Sequence, residues 1–126
     1  MNYELFATFV SLEENDGNLV FAFSDDECGA GKYVMFQCST MSGEGDFPLD
    51  ADGLYIECDD QSTACYRGVA SIRRVGERME IDLTEQGRQH LGVEQILIMP
   101  LPWTATISDG LARLADLSRG DYTVDR

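Results

Sequence analysis

Residues 53–82 constrain the fold most, because they hold three β-rich segments separated by two short polar breaks. The segments cover residues 54–58, 64–72 and 78–83. Such a run predicts a meander, in which consecutive strands pair antiparallel. In the third segment, apolar and charged residues alternate, so one face of the sheet is predicted to be buried and the other to face water. The apolar members are Met79, Ile81 and Leu83.

Two helices are predicted after the meander, and they supply the layer that a half-buried sheet requires. Thr84 is a typical N-cap for a short helix over residues 85–91, and Gly92 is typical of a helix end. Ser108 is predicted to cap a longer helix over residues 109–118, with apolar residues at helical spacing. The sequence therefore predicts an α+β fold, an antiparallel and largely meandering β-sheet packed against one short and one longer C-terminal helix.

The rest of the chain extends the predicted sheet. Strands are expected over residues 3–12, 19–23, 32–38 and 93–99, and Asp16-Gly17 is typical of the turn between the first two. Residues 39–52 are predicted to form a long acidic loop, and the tail over residues 121–126 is predicted to be frayed. With 126 residues, the chain is expected to be a single domain, residues 1–126.

Acidic residues dominate the first half of the chain. The formal net charge is −14; residues 1–60 hold 14 Asp and Glu against Lys32 alone, whereas residues 61–126 hold nine acids and eight arginines. This argues against a nucleic acid or an anionic membrane as the partner and favours a basic protein. Solubility alone is the other explanation. Because no apolar run reaches ~18 residues and no signal peptide is recognisable, a cytoplasmic protein is expected.

The partner-binding residues are predicted among the acids of loops and turns, where they would steer a basic partner and pair with its charges. Tyrosine and tryptophan side chains are expected to act as anchors within that acidic rim. Both a monomer and a homodimer are compatible with this interpretation. The predicted contact acids are Asp25, Asp26, Glu27, Glu44, Asp46, Asp50, Asp52, Asp59 and Asp60.

The sequence matches no complete motif for catalysis, for a metal or for a cofactor. The four cysteines lack the spacing of zinc ligands, and the chain has one histidine. The acidic run before Gly53 fails as a calcium loop, because position twelve of such a loop would be Asp59 instead of glutamate. The glycines before Lys32 fail as a phosphate loop, because neither serine nor threonine follows the lysine.

Two other classes of function stay open from the residues alone. One is a small thiol enzyme, with Cys38 or Cys58 as the nucleophile and His90 as the base; its thiol should label quickly below pH ~7. The other is a structural subunit whose apolar patch is the segment 100–107, with Trp103 exposed. The alternative for Trp103 is burial under the last helix, which is favoured because large aromatic residues are mostly buried. Cys58 and Cys65 flank a predicted hairpin, so they form either a disulfide or two reduced thiols, and a cytoplasmic location favours the thiols.

Three short strings, in their order along the chain, carry a resemblance to a known family. They are Tyr33-Val34-Met35-Phe36-Gln37, then Gly53-Leu54-Tyr55-Ile56-Glu57 with Gln61 shortly after, then Tyr66-Arg67-Gly68-Val69. Together with Leu83-Thr84, Leu91-Gly92 and a closing helix, this pattern resembles the bacterial immunity protein 10 family of polymorphic toxin systems, over roughly residues 3–120. It departs at Arg67, which stands where that family tends to have a second glycine.

The resemblance implies a small α+β protein that is encoded beside a toxin and that binds and neutralises it in the producing cell. It implies no catalytic residue and no cofactor. It fixes no toxin-contact residue, so the acidic residues above remain the prediction for the contact surface.

Overall fold

A computed structural model describes residues 2–26, 31–40, 54–99, 104–118 and 120–125. Within these ranges the chain forms ten strands and two helices. The strands are β1 Asn2–Leu5, β2 Phe9–Asn15, β3 Asn18–Ser24, β4 Tyr33–Ser39, β5 Tyr55–Cys58, β6 Asp60–Tyr66, β7 Val69–Val75, β8 Arg78–Leu83, β9 Gln95–Ile98 and β10 Thr123–Asp125. The helices are α1 Glu85–Leu91 and α2 Ala105–Leu117.

The strands form two five-stranded sheets. Sheet I has the order β1-β9-β8-β7-β10, and sheet II has the order β2-β3-β4-β5-β6. All pairs in sheet II are antiparallel, whereas sheet I includes the parallel pairs β1–β9 and β7–β10. The fold is α+β and mostly antiparallel, as predicted. The prediction of one continuous meander is wrong, because its residues are divided between the two sheets.

The chain crosses from sheet II to sheet I at Arg67 and Gly68, in the middle of the segment 64–72 that was predicted as one strand. Arg67 has a positive φ of 59°, which ends the extended run after β6. A Cβ on Gly68 would lie 2.6 Å from Cys65 Sγ and 3.0 Å from Gly87 Cα. This close approach between the crossing and helix α1 requires glycine at 68.

A similar crossing divides the predicted strand over residues 3–12 into β1 of sheet I and β2 of sheet II. Leu5 and Ala7 are buried on either side of Phe6, whose side chain is 63% exposed. The Thr8 amide donates to Ser24 O at 2.8 Å, which joins the chain to sheet II. Apolar residues on both faces therefore reflect a change of sheet, not a strand covered on both sides.

The two sheets enclose a common core, because buried side chains from both belong to one hydrophobic cluster. The predicted alternation along β8 is confirmed: Met79, Ile81 and Leu83 are buried, while Arg78 is exposed. The largest fully buried side chains include Phe21, Phe23, Phe36, Ile81, Ile96 and Ile98.

Helix α1 has its predicted bounds. Thr84 Oγ1 accepts a hydrogen bond from Gly87 N at 3.1 Å, and Gly92 adopts the left-handed conformation at the C-terminal end. Helix α2 begins four residues before its predicted start, because Thr104 is the N-cap instead of Ser108. The extra turn buries Ile107 next to Leu111 and Leu114 in the core. Trp103, proposed as part of an apolar patch with Ile107, lies outside the described residues.

The tail differs from the frayed segment predicted for it. Thr123–Asp125 form β10, which pairs parallel with β7. Tyr122 is buried, and its hydroxyl donates to Leu114 O at 2.7 Å, so the tail is fixed to helix α2. In the part of the chain that the structure describes, neither helix is long and apolar enough to cross a membrane.

Candidate protein-binding surface

Four of the nine predicted contact acids lie within the described residues: Asp25, Asp26, Asp59 and Asp60. All four lie at one end of sheet II, where β3 ends, β4 begins, and β5 turns into β6. The other five lie outside the described residues: Glu27, Glu44, Asp46, Asp50 and Asp52. The chain that carries the last four leaves the described structure after Thr40 and returns at Leu54. Thr40 lies at the opposite end of sheet II, where its amide donates to Gly17 O at 2.9 Å.

Asp25 and Asp59 accept hydrogen bonds from other residues at this end of sheet II. Asp25 Oδ1 accepts from Lys32 N at 2.9 Å, which closes the loop between β3 and β4. Asp59 Oδ1 accepts from Tyr33 N at 2.8 Å and from the Tyr3 hydroxyl at 2.6 Å. Burial, the hydrogen bond to Asp59 and the charges of Asp59 and Asp25 all raise the pKa of Tyr3, so Tyr3 remains a donor. These two carboxylates hold the sheet end together whether or not they also contact a partner.

Asp60 and Asp26 differ in their exposure. Asp60 is exposed, and its Oδ1 accepts from Ser62 N at 3.0 Å; this hydrogen bond lowers the pKa of Asp60, so the side chain is ionised at neutral pH. Asp26 is half-buried, and its backbone carbonyl accepts from the Ser24 hydroxyl at 2.8 Å. Asp60 therefore presents an ionised carboxylate to solvent at this end of sheet II.

Sequence reasoning did not single out a cluster on the outer face of sheet II. Glu57 lies in the middle of strand β5, and it is only 9% exposed. The Tyr55 hydroxyl donates to Glu57 Oε1 at 2.6 Å, and the Tyr33 hydroxyl donates to Glu57 Oε2. The Tyr66 ring packs against the Tyr55 ring with centroids 5.1 Å apart. The result is a buried carboxylate held by two hydroxyls beside an aromatic pair, here called the Glu57 cluster.

The Tyr33 and Tyr55 hydroxyls of this cluster stay protonated at neutral pH, so they act as hydrogen-bond donors. Burial raises the pKa of Tyr55 to about 12, with the hydrogen bond to Glu57 as the second cause. Burial and the hydrogen bond to Glu57 likewise raise the pKa of Tyr33. Part of the cluster was readable in the sequence, because Tyr55 and Glu57 are two residues apart and so share one face of a strand. The contributions of Tyr33 and Tyr66 depend on strand pairing, which the sequence did not reveal.

The cysteines that the structure describes form no disulfide. Cys38, Cys58 and Cys65 are all buried thiols. His90, the proposed base, is exposed on helix α1. The shallow cavity beside this helix, about 500 Å³, is lined by Glu85, Arg88, Gln89, Gly92, Val93 and Glu94, and so contains no thiol. Within the described residues no group of three His, Cys, Asp or Glu could hold a metal ion.

Thiol labelling should be slow at Cys58 in the folded protein. Burial raises the pKa of the Cys58 thiol to about 12, and the charges of Asp59, Cys65 and Glu57 add to this effect. The reactive thiolate is therefore scarce at pH ~7, and iodoacetamide should modify Cys58 far more slowly than it does in urea. Peptide mapping by mass spectrometry separates Cys58 from Cys28. Fast labelling of folded Cys58 below pH ~7 would instead favour the thiol-enzyme hypothesis.

A protein-family model matches most of the chain. The model described as Immunity protein 10 matches residues 6–106 of the 126-residue chain. This range includes strands β2–β9, helix α1 and the Glu57 cluster. Strands β1 and β10 lie outside it. The three strings of residues 33–37, 53–57 and 66–69 supply all four residues of that cluster. No curated protein matches the chain.

Proposed function

We propose that this chain, which belongs to the immunity protein 10 family, is an immunity protein that binds and neutralises the toxin domain of a polymorphic toxin system. The family match carries the proposal. In this role the chain is an inhibitor without a catalytic residue or a cofactor, acting in the cytoplasm of the cell that makes the toxin. It protects that cell by occupying a surface that the toxin needs for its activity.

The distribution of charge supports a basic toxin domain as the partner. Strands β2–β6 contain no lysine or arginine, while they hold Glu13, Glu14, Glu57 and Asp60. Asp25, Asp26 and Asp59 lie beside these strands, so the described acids of the first half of the chain lie mainly on and around sheet II. An electrostatic field of a single sign accelerates the encounter with a partner of opposite charge and disfavours the binding of wrong partners. An acidic surface inserted into a basic active-site cleft would exclude the substrate of the toxin.

Binding is tested with the C-terminal domain encoded by the neighbouring reading frame, purified in an inactive form. Size-exclusion chromatography with light scattering should show a complex of one copy of each chain, and calorimetry should show tight association. The same domain mixed with an immunity protein of another family is the specificity control. A toxin-like neighbour that fails to bind would contradict the proposal.

Acids in the predicted loops should set the association rate. We expect two variants to bind more slowly at low salt: one combines Glu44→Gln, Asp46→Asn, Asp50→Asn and Asp52→Asn, and the other combines Asp26→Asn and Asp60→Asn. The variant whose acids contribute more to the contact should associate about tenfold more slowly than the wild type does. Its association rate should also depend less on the salt concentration. Stopped-flow measurements over a salt series report both changes.

The control for charge alone is Asp109→Asn with Asp125→Asn, because both residues are exposed and lie far from the acidic half of the sequence. It changes the net charge as much as Asp26→Asn with Asp60→Asn does. If a loop variant associates at the wild-type rate at low salt, that loop does not form the contact surface. If the control slows association equally, only the total charge matters.

A further inference from the structure

We infer that the outer face of sheet II is the surface that engages the toxin domain, and that the Glu57 cluster receives an arginine side chain of that domain. The inference rests on the proposed function for the identity of the partner. It differs from the acidic-loop prediction in placing the anchor on the strands, where the described structure contains a buried charge and exposed aromatic rings.

Strand register brings the members of this surface together. Opposite residues of antiparallel strands share a face, so Glu57 lies beside Met35, and Tyr55 lies between Gln37 and Tyr66. Closer to the end of sheet II that carries Asp25 and Asp59, Ser24 lies opposite both Phe9 and Tyr33. These two aromatic residues are therefore on the same face as Glu57. The surface is therefore continuous across the sheet. Its aromatic, sulfur and carboxylate members are Phe9, Glu13, Tyr33, Met35, Tyr55, Glu57 and Tyr66.

The buried carboxylate is what points to a cation. Removing a carboxylate from water is unfavourable unless it is paired, and Glu57 receives two hydroxyl hydrogen bonds but no ion pair from the described residues. Because Glu57 is already desolvated in the free protein, an arriving cation is attracted in a medium of low dielectric constant. The cluster is thus organised for a positive charge before the partner arrives.

The tyrosine pair favours arginine over lysine. A guanidinium group is planar, stacks on aromatic faces and is weakly hydrated, whereas an ammonium group is strongly hydrated. Tyr66 is 47% exposed and its ring packs against that of Tyr55, whose hydroxyl binds the Glu57 carboxylate, so an exposed aromatic residue belongs to the cluster. Phe9, which is 43% exposed, offers a second aromatic contact on the same face. Exposed tyrosines with a desolvated charge beside them are typical of the residues that dominate binding energy.

The outer face of sheet I differs, because four of its central charged residues, Arg73, Arg78, Glu80 and Asp82, are paired with one another. Arg73 pairs with Glu80 and Asp82, each at 3.1 Å, and Arg78 pairs with Glu80 at 2.7 Å. Gln95 also donates to Asp82 at 2.9 Å. A partner would have to break these contacts to use the charges of sheet I. This face therefore provides matched controls for the experiment.

The first test uses a hexa-arginine amide peptide as the probe, so it does not require the toxin. The ¹⁵N-labelled full chain is titrated at low salt, and we expect the largest, saturable shifts at the amides of Tyr33, Met35, Glu57 and Tyr66. In Glu57→Gln the amide oxygen can accept from one tyrosine hydroxyl and the amide nitrogen can donate to the other, so the shape is kept and the charge is lost. The variant should weaken binding about tenfold, as expected for a lost charge-assisted contact. Glu80→Gln is the control and should bind as the wild type does.

Hexa-lysine amide should bind more weakly than hexa-arginine amide at this surface. Shifts confined to the acidic end, at Asp25, Asp59 and Asp60, would overturn the inference. So would equal binding by Glu57→Gln and Glu80→Gln, or the absence of saturable shifts on sheet II. Circular dichroism of each variant confirms that the comparison is made between folded proteins.

The second test uses the toxin domain from the neighbouring reading frame. Tyr66→Ala and Glu57→Gln should each raise the Kd about tenfold or more, while the sheet I variants Val75→Ala and Glu80→Gln leave it unchanged. Val75 is a fair control because it is also an exposed apolar residue. A tight complex that neither sheet II variant weakens would overturn the inference and leave the proposed function standing. No complex with the wild type would remove the proposed function, and the peptide titration would still decide whether the cluster binds arginine.

Discussion

Replacing Phe21 with alanine is expected to lower the free energy of unfolding by about 3–5 kcal/mol, the range for a large aromatic residue removed from a core. Phe21 is fully buried, and its ring centroid lies 4.7 Å from that of Phe23 and 6.3 Å from that of Phe36. The ring also lies directly under Gly110 of helix α2. Its loss opens a cavity between sheet II and the helix. Chemical unfolding monitored by circular dichroism measures the change.

Phe6→Ala is the matched control, because the same truncation at a largely exposed phenylalanine should change stability by no more than about 0.5 kcal/mol. A methyl group on Gly110 would overlap the Phe21 ring. Gly110→Ala should therefore destabilise the protein, and Phe21→Leu should relieve part of that loss in the double variant. If Phe21→Ala were as mild as Phe6→Ala, the contact between helix α2 and sheet II would be wrong.

Gly87→Ala is expected to destabilise the protein by about 1–3 kcal/mol, although alanine is the better helix former by about 1 kcal/mol. The reason is the crossing between the sheets. A Cβ at Gly87 would overlap Gly68 O and lie 2.9 Å from Gly68 Cα, and these are backbone atoms that no rotamer change can move. Either helix α1 or the crossing must shift. Thermal and urea unfolding show whether the variant is less or more stable than the wild type.

Gln89→Ala is the control for helix propensity, because Gln89 is exposed on the same helix. Its effect should be close to zero. Should Gly87→Ala instead stabilise the protein, helix α1 would not contact the crossing at Gly68.

Local signals predicted some elements well. Thr84 and Gly92 set both ends of helix α1, and Asp16-Gly17 set the turn between β2 and β3, because caps and turns depend on a few adjacent residues. The start of helix α2 was missed because Thr104 and Ser108 are both good N-caps. What decides between them is the burial of Ile107, a tertiary effect that the sequence does not display.

The division into two sheets could not be predicted from apolar patterning. The first crossing passes through Phe6, Ala7 and Thr8, which contain neither glycine nor proline, so the run reads as one strand. At the second crossing Gly68 was the available signal, but its role depends on Gly87, nineteen residues later. Sequence periodicity reports which residues are buried, not which sheet they join.

The candidate surface was predicted in part. Charge counts indicated an acidic half, and the described part of this half forms β1 of sheet I, β2–β5 of sheet II and the loop ends around Asp25 and Asp59. The Glu57 cluster combines side chains from β4, β5 and β6, so it required the strand register. Aromatic anchors were expected within an acidic rim, and we propose Tyr33, Tyr55 and Tyr66 on the strands for this role.

The measurement that bears most directly on neutralisation is survival of cells that express the active toxin domain from the neighbouring reading frame. Co-expression of this chain should restore growth, and co-expression of a destabilised variant such as Phe21→Ala should restore it less. The fully folded Glu57→Gln variant should protect less than Glu80→Gln does. If the wild-type chain is expressed and folded but the cells still die, this chain is not the immunity protein of that toxin.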